Sequence, residues 1–199
     1  RDLHSFPTRR SSDLEPGNTG LNTILKASAT EPVRIFYNDF DNNGSVDPVL
    51  CYYVQGKNYP FASLDEVTEQ IPALRKRFPR YEPYSNATFD QLFTPEQREK
   101  AIILKATLMA SCYFENKSGK FTKIALPTEA QFSPIQAIVT GDWNKDGKKD
   151  LLVSGNYFPW RVQLGKMDGS KGWLLEGNGT GNFRALYPQQ TGFYAAGRF

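Results

Sequence analysis

The chain of 199 residues carries 24 Lys and Arg against 21 Asp and Glu, a formal net charge of +3. Charges so nearly balanced leave no nucleic-acid footprint, and no apolar run approaches the length of a membrane span. Two cysteines, Cys51 and Cys112, without C-x-x-C spacing offer neither a zinc ribbon nor a thioredoxin-like site, and stand open as one disulfide or two core thiols.

Residues 1–14, RDLHSFPTRRSSDL, read as the translation of a common short-read sequencing adapter rather than as a natural polar leader, and are set aside as a non-native scar. His4, the one histidine, goes with them. What remains has none, which excludes Ser-His-Asp and Cys-His catalysis and every histidine-rich metal site.

Residues 15–31, with GLNTILKA at 20–27, are expected to be the tail of a preceding repeat. Next comes VRIFY at 33–37, a β-type run. It leads into the acidic glycine turn DFDNNGSVD at 39–47 and a second β-type run, PVLCYYV, from Pro48. Ser63-Leu-Asp-Glu66 is a capping box that opens a helical stretch to about Phe78. Thr94-Pro-Glu-Gln97 is another, with proline at the first helical position, leading into REKAIILKA. These two helices read as an insertion at about 60–106. Third and fourth strands follow around Cys112-Tyr113-Phe114 and from Phe121, joined by NKSGKF.

The same order recurs over 128–188. IQAIV at 135–139 precedes DWNKDGKKD at 142–150, LLVSG follows, and Trp173-Leu174-Leu175 and Phe183 flank NGTGNF. Four short strands per copy, with a metal-type loop after the first and a glycine hairpin after the third, predict an all-β fold with a helical insertion. The expected architecture is a fragment of a β-propeller of about two four-stranded blades, 32–127 and 128–188, with 189–199 beginning a truncated third.

The two loops are the candidate chemistry. Asp39, Asp41, Asn43, Ser45 and Asp47 in the first, and Asp142, Asn144, Asp146, Lys148 and Asp150 in the second, hold the first, third, fifth, seventh and ninth places. Carboxylates so crowded repel one another unless a cation neutralises them, and calcium takes six to eight oxygens in flexible geometry. Ser45 and Lys148 would contribute backbone carbonyls, and Gly44 and Gly147 allow the sharp turn. The twelfth place, where an EF-hand needs Glu, is Val153 in the second loop, within a strand. The first loop has no basic residue, whereas Lys145, Lys148 and Lys149 crowd the second, so the first is expected to bind more tightly.

These loops, with Leu175-Glu-Gly-Asn-Gly-Thr-Gly-Asn-Phe183 closing the second copy, resemble the FG-GAP or VCBS repeat, the calcium-binding propeller blade. The tract from FTPEQREKAIILKA through LPTEAQFSP is similar to Bacteroidetes VCBS proteins related to cartilage acidic protein. The resemblance implies Ca2+, an exported protein at the cell surface, in the periplasm or outside the cell, and a binding or adhesion scaffold for an extracellular protein or glycan. The alternatives are a propeller hydrolase or lyase using carboxylates or metal-bound water, and a purely structural part of a larger protein. Asp65, Glu66, Glu69, Asp90, Glu96 and Glu99 have the spacing of solvent-exposed helical residues, and nothing singles out a catalytic pair among them.

Overall fold

The computed structural model describes residues 18–159, 161, 164–195 and 197, so the adapter-like stretch and Trp160 lie outside the described residues. The chain divides into two compact units, one of Ile24–Leu108 and one of Met109 onward together with residues 18–23. Among the described residues no helix is long and apolar enough to cross a membrane.

In the unit Ile24–Leu108, strands β1 (Val33–Asn38), β2 (Asp47–Val54), β3 (Lys57–Pro60) and β4 (Ile102–Ala106) form an antiparallel sheet in the order β3-β2-β1-β4. Gln55 and Gly56, both at positive φ (50° and 76°), close β2 onto β3. Two such residues give the turn twist that matches a right-handed hairpin. Between β3 and β4 lie α1 (Leu64–Gln70), α2 (Leu74–Arg77), α3 (Tyr81–Ser85), α4 (Phe89–Leu92) and α5 (Pro95–Glu99).

The capping boxes at Ser63 and Thr94 are present, the Ser63 and Thr94 amides donating to Glu66 Oε2 and Gln97 Oε1 at 2.7 and 2.8 Å. The two long helices expected from them are not. Pro72, which lacks an amide donor, interrupts the first stretch and leaves two short helices, α1 and α2. The second stops at Glu99, and the β-branched run that follows becomes β4, paired with β1 through Phe36↔Ile103.

The helices cover one face of this sheet. Phe36 stacks on Phe89 with ring centroids 3.7 Å apart, and Phe40 on Phe93 at 3.9 Å. Val49, Cys51, Leu64, Val67, Ile71 and Leu92 complete the same core.

In the second unit, β5 (Cys112–Lys117) and β6 (Lys120–Ala125) form a two-stranded hairpin. Strands β7 (Ala137–Gly141), β8 (Asp150–Ser154), β9 (Trp173–Gly177) and β10 (Phe183–Leu186) form an antiparallel meander, order β10-β9-β8-β7, followed by α6 (Pro188–Thr191). Its core is Leu151, Val153, Trp173 and Leu175 with Leu126 and Ala130, and Tyr113 of β5 packs against Phe183 at 5.6 Å.

Three expectations are corrected here. Segment 112–125 does not complete the sheet of β1 and β2, because β3 occupies the free edge of β2 and β4 that of β1. Residues 20–27 form no strand: the Gly20 amide donates to the Met109 carbonyl, and those of Leu21 and Asn22 to the Gln131 carbonyl. The described part of 192–199 likewise forms no strand.

The two loop-bearing sheets bury opposite faces. After Asp47, β2 buries Val49 and Cys51, whereas after Asp150, β8 buries Leu151 and Val153. Val139, which matches Phe36 in the repeat, is 55% exposed, while Phe36 is 4% exposed beneath the helices. Strand side chains alternate, so one copy turns toward its core the set that the other turns away.

Candidate metal centre

Each acidic loop joins the first strand of a copy to the second: β1 to β2, and β7 to β8. Both are built by the same bonds. The Phe40 amide donates to Asp47 Oδ2 at 2.9 Å, and the Trp143 amide to Asp150 Oδ2 at 3.1 Å. The Asn43 amide donates to Asp39 Oδ1 (3.0 Å) and Asp41 Oδ1 (3.2 Å), and the Asp146 amide to Asp142 Oδ1 and Asn144 Oδ1, both at 3.0 Å. The Gly44 and Gly147 amides meet Asp39 Oδ2 and Asp142 Oδ2 at 2.8 and 2.9 Å. The Ser45 and Lys148 amides donate to Asn43 Oδ1 and Asp146 Oδ1, at 2.7 and 2.9 Å. Asn42 and Lys145 both adopt φ of 60°, a left-handed conformation that Asn tolerates better than Lys.

The carboxylates differ in how much of them is already engaged. Asp39, Asp41 and Asp47 bring one ligand oxygen each within 4.8 Å of one another, the one such acidic group of three among the described residues. Asp47 is buried, and desolvation, with Asp41 and Asp39 adding repulsion, holds its carboxyl above the usual range against the pull of the Phe40 amide. A divalent cation would relieve that repulsion, and hard carboxylate oxygens suit calcium. The donor set therefore fits the ion expected.

In the second loop the Lys148 ammonium lies 3.3 Å from Asp146 Oδ2. The Lys148 amide and ammonium hold the Asp146 carboxyl below its usual range, helped by Asn144. Asp150 is engaged on both oxygens, because Oδ1 accepts the Gly177 amide at 2.9 Å. Asn144 Nδ2 donates to Glu176 Oε1 at 3.1 Å, and the Arg184 Nε to Glu176 Oε2 at 3.1 Å. Glu176 is held low chiefly by the Arg184 hydrogen bond. Asp146, Lys148, Glu176, Asn178 and Arg184, with Phe183, line a crevice of about 390 Å³ beside the loop.

Sequence reasoning placed the ten loop residues but missed three supports. Gln97 Nε2 donates to the Phe40 carbonyl at 2.6 Å while its Oε1 accepts the Thr94 amide. The capping-box motif explains only the second of these bonds. Glu176 and Gly177 read from sequence as part of a hairpin phrase, and their bonds to Asn144 and Asp150 join distant parts of the chain. Trp173 is a core residue, and Cys51 and Cys112 are free buried thiols. Comparison with protein-family models, curated proteins and solved structures finds no match to this chain.

Proposed function

We propose that this chain is a calcium-stabilised repeat region of an exported protein, acting as a binding or adhesion scaffold whose repeats are propeller blades of the FG-GAP or VCBS type. The observation that carries the calcium reading is the identity, bond for bond, of two loops far apart in sequence, one of which gathers three carboxylates within 4.8 Å. The four-stranded meander β7 to β10, with its loop after the first strand, supports the blade reading. An ion at each loop would link the two strands of a copy and hold Asp47 and Asp150 charged at the start of the outgoing strand. Export is what the resemblance implies, and a calcium-rich compartment suits loops of this kind.

The test is a calcium titration of residues 15–199, followed calorimetrically and by thermal melting, with Asp39→Ala plus Asp142→Ala as control. Saturable binding near two ions, with a rise in Tm lost in the double variant, is the expected result. A folded sample that binds no calcium reduces both loops to acidic turns.

A further inference from the structure

We infer that the open groove beside the β2–β3 hairpin binds a neutral oligosaccharide. Tyr52 and Tyr59 are direct cross-strand partners, as are Val54 and Lys57, so the four side chains share one face of the hairpin. Together with Gln55 at the turn and Tyr84 of α3 they line a cavity of about 360 Å³, within the size range of small-ligand sites. The walls are fixed. Tyr52 packs edge-on against Phe61 with centroids 5.8 Å apart, and the Tyr84 hydroxyl donates to the Ala62 carbonyl at 2.8 Å.

The polar groups around the groove are unspent. Among the described residues the hydroxyls of Tyr52 and Tyr59, the Gln55 amide and the Lys57 ammonium make no side-chain hydrogen bond or ion pair. Gln55 is held at a φ of 50°, a conformation that L residues seldom adopt.

This set of groups selects a ligand class. A sugar ring has a C–H face that packs on an aromatic ring and a rim of hydroxyls that both donate and accept. Tyrosine rings carrying hydroxyls answer the first need, and tyrosine hydroxyls and a glutamine amide answer the second in both senses. Lys57 is the one charged residue lining the groove, so the groove repels a cationic ligand, and a single exposed ammonium at the hairpin turn does not make a paired anion site. A proline-rich peptide offers acceptors but few donors, and would leave the Gln55 carbonyl and tyrosine lone pairs without partners. The inference names a ligand class for the proposed scaffold and rests on that reading for its biological sense, but involves neither calcium loop.

The test titrates cellohexaose, mannohexaose, xylohexaose and chitohexaose singly into residues 15–199, with a proline-rich decapeptide in parallel, by calorimetry and by aromatic proton shifts. We expect one hexasaccharide to bind and its affinity to fall tenfold or more in Tyr59→Ala, while Tyr59→Phe keeps most of it. Gln55→Gly, which relieves the positive φ and so leaves the fold intact, should weaken binding severalfold. Calcium titration of the same variants should be unchanged, which separates failure of the groove from failure of the loops. Binding of no hexasaccharide by folded protein, binding that survives both Tyr59→Ala and Gln55→Gly, or binding of the peptide alone would each overturn the inference.

Discussion

Phe40 and Trp143 occupy the same place in two loops with the same hydrogen bonds, yet Phe40 is 2% exposed and Trp143 is 43% exposed. The difference lies in what surrounds them. Phe40 sits among Phe89 and Phe93 of the inserted helices, whereas the Trp143 ring lies over the backbone of Gly141. Phe40→Ala should therefore cost about 3–5 kcal/mol, and Trp143→Ala, whose ring is partly exposed, about 1–2 kcal/mol. Urea unfolding of both variants measures this. Equal losses would mean that the helices do not hold the first loop.

The second loop should gain affinity when it is made to resemble the first. In Lys148→Ser the ammonium leaves Asp146, and an exposed ion pair of this kind is worth up to about 1 kcal/mol, or roughly fivefold. Calcium titration of Lys148→Ser should show a two- to fivefold tighter second site with the first unaltered. The gain should shrink as salt is raised.

Gly177 has no room for a side chain. A Cβ there would collide with the Lys149 carbonyl and press on the Phe183 ring, while the Gly177 amide holds Asp150. Gly177→Ala should destabilise the protein by about 1–3 kcal/mol. It should also weaken calcium at the second loop and leave the first unchanged, read by titration.

Cys51 is fully buried, and desolvation, only partly offset by Arg34, pushes its thiol well above the ordinary range. An aromatic disulfide reagent should leave it unlabelled in native protein at pH 8 and label it once unfolded. The sign of the linkage follows. The folded thiol stays protonated where the unfolded one ionises, so its contribution is complete below the ordinary thiol value of about 8.5 and is lost as pH rises beyond it. Stability measured from pH 7 to 10 should decline, and decline less in Cys51→Ala.

Much of this was legible locally. Strand, acidic turn and strand could be read at both loops, because apolar β-type runs and the Asp-, Asn- and Gly-rich turn between them are adjacent in sequence. Pairing was not legible. The turn that adds β3 is Gln55-Gly56, a weaker hairpin signal than Asn-Gly, and Ile102-Ile103-Leu104 after a capping box reads as helix until β1 offers it an edge. The choice of buried face was also hidden, since Phe36 and Val139 are both apolar. Only the helices over the first decide which is covered.

Strand β4 lies at the sheet edge with Ile102 67% and Leu104 55% exposed, the kind of edge that recruits other chains. Ile102→Lys with Leu104→Glu should lower light scattering at high protein concentration and leave the Tm nearly unchanged. A fall of many degrees would show that these side chains are packed in solution.

The clamp of Asp47 on the Phe40 amide, and of Asp150 on the Trp143 amide, has a kinetic meaning. Each loop is held in shape by its own amide–carboxylate bonds, so on the calcium reading an arriving ion would meet a preorganised cradle and order little chain on entry. Capture should then be limited by charge rather than by chain ordering. The lysine-flanked loop should take up the ion more slowly and release it sooner.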